Sequence, residues 1–222
     1  MTFEALEGLL IAVILSLIAL VWRASQSRLS VLGREPGRFI LSDSRKHPEN
    51  HTIPGLLILR PDEGLFFANA DSLRSEMITL VDSTQPPVKV ALIDLEMSSE
   101  LDVPSVDMIV ELKEELEKRD VIMWLARLHG PTRDSLEKSG VLQQIGLEKI
   151  HPRNLNSILE YLSKIAPDDW EDIVLVQDGL NMILEVINVL LSTSVGRRHD
   201  ILEDYRQKLA EIMRAAESRR NQ

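Results

Sequence analysis

At 222 residues the chain has room for one domain plus extensions, and 44% hydrophobic content allows a sizeable core. Only 4% of residues are aromatic, so aliphatic side chains must supply most of that core. A net charge of −10 argues against nucleic acid or an anionic membrane surface as the main partner of the water-soluble part, and the absence of cysteine excludes a disulfide framework, thiolate catalysis and Cys-ligated metals.

The first element is Phe3 to Trp22. From Leu9 to Trp22 its only polar residue is Ser16. With Phe3 to Gly8 included, the run reaches the roughly 20 residues needed to span a hydrocarbon core. It predicts a transmembrane helix in residues 1–23, embedded through residues 3–22. Glu4 and Glu7 stand where a secretory signal would carry bases, and no small-residue cleavage site follows Trp22. A buried helix of a water-soluble protein is the competing reading. Arg23, Arg28, Arg34 and Arg38 follow the run. By the positive-inside rule they place the rest of the chain in the cytoplasm, which predicts a single-pass protein of the cell membrane with a cytoplasmic C-terminal domain. Residues 24–52 read as a polar linker interrupted by Gly33, Pro36, Gly37 and Pro48, with Ser42 to His51 exposed.

Leu56 to Leu59 and Leu65 to Ala68 are short apolar runs on either side of Arg60–Gly64, and predict a hairpin or two adjoining strands. Asn69 or Asp71 can cap the next helix, where Leu73, Met77, Leu80 and Val81 recur at helical spacing. After the breaker pair Pro86-Pro87, Val88 to Ile93 form a buried strand that Asp94 ends. Asp102 then takes an N-cap position, and Pro104 fits the first turn, where a missing N–H costs little. Val106, Ile109, Val110, Leu112 and Leu116 form the inner face of that helix, with Glu114 and Lys118, and Glu115 and Arg119, paired four apart on the wet side. Val121 to Leu125 is a second buried strand. Two buried strands bridged by one helix imply a parallel, right-handed crossover.

Pro131 starts a short helix that Gly140 stops, and a short strand follows near Leu147 to Ile150. Asn154 can cap a helix whose Leu155, Ile158, Leu159 and Leu162 face inward. The order predicts an α/β fold: a mixed sheet with helices packed mainly on one face. Beyond Pro167, the apolar run within Trp170 to Val195 is interrupted by Asn181, Glu185 and Asn188, and is too short and too polar to be preferred as a second membrane span. Leu202, Tyr205, Leu209, Ile212 and Ala216 lie on one side of a charged helix over Ile201 to Arg219. That pattern covers about two heptads, which suits either a short coiled coil or a helix docked on its own domain.

No catalytic constellation emerges. His47, His51, His129, His151 and His199 lack a Cys or Glu-rich partner to complete a metal site, and read as surface or linker residues. No phosphate-cradling glycine loop and no nucleophile with a base are present. Asp94 and Asp102 are explained by strand-end and N-cap roles. The chain reads as a non-enzyme without a cofactor.

Asp94-Leu95 at a strand end, followed by Leu101-Asp102 entering a helix, resembles the STAS domain, the cytoplasmic module of SulP sulfate permeases and of bacterial anti-sigma-factor antagonists. Gly55 to Arg60 followed by Gly64 to Ala70 is similar to the opening of a SulP STAS domain, and Ser30 to Arg34 with Pro36-Gly37 is similar to the linker after the last membrane helix. The resemblance implies a division into a transmembrane helix (1–23), a cytoplasmic linker (24–52), a STAS domain (53–166) and a helical C-terminal extension (167–222). It implies the last part of a transporter of sulfate or a related inorganic anion, or of a dicarboxylate. That part would have a regulatory or interaction role, with the membrane domain or another membrane subunit as partner, and it admits a homodimer. No anion site carries over, because the membrane helices that would form it are not in this sequence. In the antagonist branch a Ser or Thr in an Asp-Ser-Ser/Thr-Gly pattern is phosphorylated by a kinase partner. Here Asp102 matches the Asp, but Val103-Pro104-Ser105 follows it. The regulatory loop implied by resemblance is therefore Asp94, Asp102, Pro104 and Ser105. The alternative reading is a membrane-tethered STAS signalling protein that binds a cytoplasmic partner.

Overall fold

The computed structural model describes residues 2–25, 28–36, 40–164, 183–184, 187–188, 190–192 and 194–220. A long helix, α1 (Thr2–Ser25), precedes a six-stranded sheet. In chain order the elements after α1 are β1 (Leu29–Arg34), β2 (Leu41–Asp43), β3 (Leu56–Pro61), α2 (Ala70–Ser83), β4 (Val90–Asp94), α3 (Val103–Glu117), β5 (Ile122–Ala126), α4 (Gly130–Lys138), α5 (Val141–Ile145), β6 (Ile150–His151), α6 (Asn154–Lys164) and α7 (Arg197–Arg220). Sheet order is β2-β1-β3-β4-β5-β6. β3 to β6 are parallel, while β1 runs antiparallel to both β3 and β2. The predicted parallel crossover is therefore β4–α3–β5.

Side chains alternate across the sheet, as the pleat requires. Leu57, Leu59, Ala91, Ile93, Met123 and Leu125 pack with α2, α3, α4 and α5. Leu56, Ile58, Val90, Leu92 and Trp124 pack on the other side with α6, Ile183, Ile187, and Leu209 and Ile212 of α7. All five β4 residues are buried because both faces are covered. The expectation of helices mainly on one face thus understates the second face, which α6 and α7 cover. α7 docks on its own domain: the Tyr205 hydroxyl donates to Asn156 Oδ1 of α6 at 2.9 Å. Most of the Trp170 to Val195 run lies outside the described residues.

Three further expectations change. Residues 24–52 are not only a linker: β1 and β2 belong to the sheet, and Asp43 and Asn50 are buried. Leu65 to Ala68 is loop and turn rather than strand. Both edges of β3 are already occupied, by β1 and β4, so a second strand has nowhere to pair. The pairs along α3 also differ. Arg119 reaches across to Asp82 of α2 at 2.8 Å, and Glu115 pairs with Arg74, also of α2.

Close helix–strand approach is visible at Gly55. Its φ is +78°, and a Cβ there would lie 2.3 Å from the Tyr161 hydroxyl oxygen, so glycine suits the position on both counts. The Tyr161 hydroxyl donates to the Pro54 carbonyl at 2.8 Å, and burial pushes its phenol up to about 12.

The chain enters the sheet at the carboxyl end of the parallel strands: Leu29 opposes Pro61, and Asp62 N donates to the Arg28 carbonyl at 2.8 Å. α1 lies just before this point. Its described side chains, Leu6 to Trp22, are all exposed. Among the described residues no helix is long and apolar enough to cross a membrane.

Candidate functional site

Loops at the carboxyl ends of parallel strands are where α/β folds place functional groups. Here that end holds every residue of the predicted regulatory loop, but in two separate clusters.

The first cluster is the start of α3. Asp102 is the N-cap: its Oδ1 accepts from Ser105 N at 3.0 Å, and also from the Ser105 hydroxyl. Its Oδ2 accepts from Phe67 N, in the loop after β3, at 2.7 Å. Burial opposes ionisation of Asp102, but the hydrogen bonds from Ser105 and Phe67 together outweigh it and hold the carboxyl below its ordinary value. Pro104 lies in the first turn, as expected. Ser105 is 0% exposed. Its hydroxyl is a capping group and is not presented to solvent.

The same two loops are laced at a second point. Leu65 N donates to Ser98 Oγ at 3.1 Å, and the Thr132 hydroxyl donates to the Ser98 carbonyl. Asn69, expected as a cap for α2, works on this loop instead. Its Oδ1 accepts from Phe66 N at 3.0 Å, and its Nδ2 donates to the Gly64 carbonyl at 3.0 Å. It makes no side-chain cap bond.

The second cluster is centred on Asp94, which is 0% exposed. Arg127 Nε donates to its Oδ1 at 2.9 Å, and Arg127 Nη2 donates to its Oδ2 in a fork-like pairing. Asn154 Nδ2 donates to Oδ2 at 2.8 Å, and Glu96 N donates to Oδ1 at 3.1 Å. Arg127 also pairs with Glu96 at 2.6 Å. Asp94 therefore ties the ends of β4 and β5 to the start of α6. A buried carboxylate so fully bonded serves as a structural anchor. Arg127 and Asn154 were not anticipated as its partners. The available signal was the lone arginine directly after the apolar run Val121–Ala126, since parallel register places Ala126 beside Asp94.

His151 also departs from the surface reading. It is 5% exposed and packs against Trp124 with ring centroids 4.7 Å apart. Burial lowers its basicity, partly opposed by Glu160, whose Oε2 lies 3.9 Å from Nδ1, and reinforced by Lys164. Among the described residues no group of three or more His, Cys, Asp or Glu is placed to hold a metal. A cavity of about 270 Å³ lined by Lys113, Glu117, Val121, Met123 and Lys149 lies at the other end of β5, away from both clusters.

Comparison with known proteins agrees with this architecture. The STAS domain family matches residues 47–154. A probable sulfate transporter of Mycobacterium tuberculosis is 34% identical over 143 residues, covering 64% of this chain and 26% of that protein. High affinity sulfate transporter 2 of Stylosanthes hamata is 27% identical over 173 residues, covering 74% of this chain and 26% of that protein. This chain spans about a quarter of the length of the curated relatives it matches. The fold is shared with the murine Solute Carrier 26 family member A9 anion transporter in its inward-facing state, with a TM-score of 0.58 over 66% of this chain and 24% of that one, at 18% identity. No enzymatic family is indicated. Residues 47–154 are a STAS domain, homologous to those of SulP sulfate transporters, in a chain consistent with the C-terminal part of such a transporter.

Proposed function

We propose that this chain is the cytoplasmic STAS module of a SulP-type inorganic anion transporter, held at the membrane by α1 and unable to transport by itself. The observation that carries the reading is the pairing of a STAS domain similar to those of sulfate transporters with an apolar helix, directly before its sheet, whose described side chains from Leu6 to Trp22 are exposed. α1 as a whole has 24 residues. At 1.5 Å per residue such a helix is about 36 Å long, against a hydrocarbon core of about 30 Å. Leu9, Leu15 and Leu20 on it are 62%, 60% and 63% exposed, so lipid is the natural cover for its surface. Arginines after it favour a cytoplasmic sheet. The membrane domain of the transporter, or another membrane subunit, is the partner, and a homodimer is compatible with this arrangement. The named function of the relatives supports sulfate or a related inorganic anion as cargo.

The loop at α3 supports a module that acts through contacts rather than through a phosphorylation switch. Proline occupies one place where an acceptor would stand, and the buried Ser105 hydroxyl is engaged by Asp102. A kinase would have to unwind the first turn of α3 to reach it. Transport itself requires a midplane site built from several helices, commonly with broken ends facing the substrate, which one helix cannot supply. Reconstitution of the purified chain into liposomes tests the reading, with radiolabelled sulfate uptake compared with empty vesicles. The expected result is no saturable uptake by the chain alone, and uptake once a multi-span SulP membrane part is supplied. Saturable uptake by this chain alone overturns the reading.

A further inference from the structure

Three large apolar side chains stand exposed on the loops that the two hydrogen-bond laces draw together. Phe67 is 65% exposed, Met97 48% and Val103 73%. Phe67 follows β3, and its N–H is held by Asp102, the residue before Val103. Met97 precedes Ser98, which holds Leu65 N. The three therefore lie on one fixed surface at the carboxyl end of the strands. Fixing exposed aromatic and aliphatic side chains on bonded loops is how proteins prepare anchor residues for a partner.

The position of that surface restricts its occupant. α1 ends at Ser25 and β1 begins at Leu29, opposite the end of β3. The helix and the apolar surface are thus at the same end of the sheet, so with α1 in a bilayer the surface is on the membrane side. Its charge restricts the occupant further. Residues 62–71 and 96–107 contain no lysine or arginine; Lys46, Arg74 and Arg127 of neighbouring segments pair with Asp62, Asp71 and Glu96, while Glu63, Glu100 and Asp107 are exposed. An acidic rim repels anionic lipid headgroups and suits a basic peptide. Cytoplasmic loops of polytopic membrane proteins carry the excess of Lys and Arg that would match it.

We infer that the surface formed by Phe67, Met97 and Val103 is the docking face for a basic, apolar-edged cytoplasmic loop of the transporter's membrane part. The inference rests on the reading of the chain as a transporter module, and names the surface through which that module acts. The apolar side chains supply the contact, and the acidic rim selects for positive charge and orients the loop.

The test uses the full chain in neutral detergent and a fluorescent amphipathic leucine–arginine peptide as the probe, with its leucine–glutamate counterpart as control and empty micelles as baseline. The expected result is that the basic peptide alone binds. Its affinity should fall about tenfold or more in Phe67→Ser/Val103→Ser, as loss of a central anchor predicts. It should weaken in about 1 M salt, where screening acts within about 3 Å. Both side chains are exposed, so the thermal transition of that variant should be unchanged. Charge reversal by Glu63→Lys/Glu100→Lys is an independent check and should weaken the basic peptide while admitting the acidic one. Undiminished binding in both variants, or no binding by the parent chain, overturns the inference. So does a variant that changes only self-association, which would assign the surface to a second copy. Protection of residues 64–69 from hydrogen exchange by anionic nanodiscs without peptide would assign it to lipid, and equally overturn it. The sulfate uptake test uses no peptide, so the module reading and its docking face can fail separately.

Discussion

β4 and α1 are built from the same aliphatic side chains and meet opposite surroundings. Val90, Ala91 and Leu92 are 0% exposed, with helices over both faces of the strand. Every described side chain of α1, Leu6 to Trp22, is exposed. Apolar content alone therefore does not say where a segment ends up. The covering does: β4 is surrounded by neighbours of its own chain, whereas the described side chains of α1 stand exposed, and lipid is the cover we propose for them.

Charging each segment separates the two cases most strongly. Ile93→Asp puts an unpaired carboxylate in the central strand and should abolish the cooperative thermal transition followed by circular dichroism. Ile14→Asp on α1 should leave that transition intact, and should instead lower the membrane-bound fraction, since a central Asp costs insertion about 2.5–3.5 kcal/mol. A domain unfolded by Ile14→Asp would show that α1 is covered by protein after all.

Within the sheet end, the Asp94–Arg127 pair gives the next largest effect, and an unequal one. Arg127→Ala leaves a fully buried carboxylate with only Asn154 and the Glu96 amide, so the loss should reach the upper end of the roughly 3–5 kcal/mol expected for breaking a buried pair. Asp94→Ala leaves an arginine that is 26% exposed and still bound to Glu96, so its cost should be at the lower end, about 3 kcal/mol. Chemical denaturation of the two variants measures the difference. Equal losses would mean that Asp94 is not held mainly by Arg127.

The start of α3 should respond less. Asp102→Ala removes the cap and the acceptor for Phe67 N, for a loss of about 1–2 kcal/mol by chemical denaturation. Because its folded carboxyl titrates below the unfolded value near 3.8, this contribution is present above that value and disappears as pH falls through the folded one. His151 acts in a higher window. Its imidazole is held neutral, so the unfolded chain binds the extra proton. The stability is present above about pH 6.5 and declines as pH falls below it. His151→Phe should flatten the denaturation midpoint between about pH 7 and pH 5. An unchanged slope would place the titration elsewhere.

The parts legible in the sequence were those with a local cause. β4, α3 and β5 declared themselves through an apolar run, a capping Asp102, a first-turn Pro104 and a second apolar run, and the structure keeps each of them. The parts that escaped depend on distant neighbours. β1 reads as linker because Ser30 and Gly33 dilute its apolar pattern, and only pairing with β3 makes it a strand. Leu65 to Ala68 has a strand's composition but no free edge to join. For the candidate site, the Asp102 cap was visible because its partner is three residues away. Arg127 and Asn154 are 33 and 60 residues from Asp94 and meet it only through sheet register. His151 reads as an ordinary surface histidine until Trp124 is brought against it by the β5–β6 pairing.

The measurement that bears most directly on the contrast between α1 and β4 is alkaline carbonate extraction of membranes from cells expressing the full chain, compared with a chain that begins at Arg28. The full chain should stay with the membrane pellet, the shortened chain should move to the supernatant, and both should show the same cooperative thermal transition. Release of the full chain by carbonate would contradict this contrast, because the exposed side chains of α1 would then have found their cover in protein rather than in lipid.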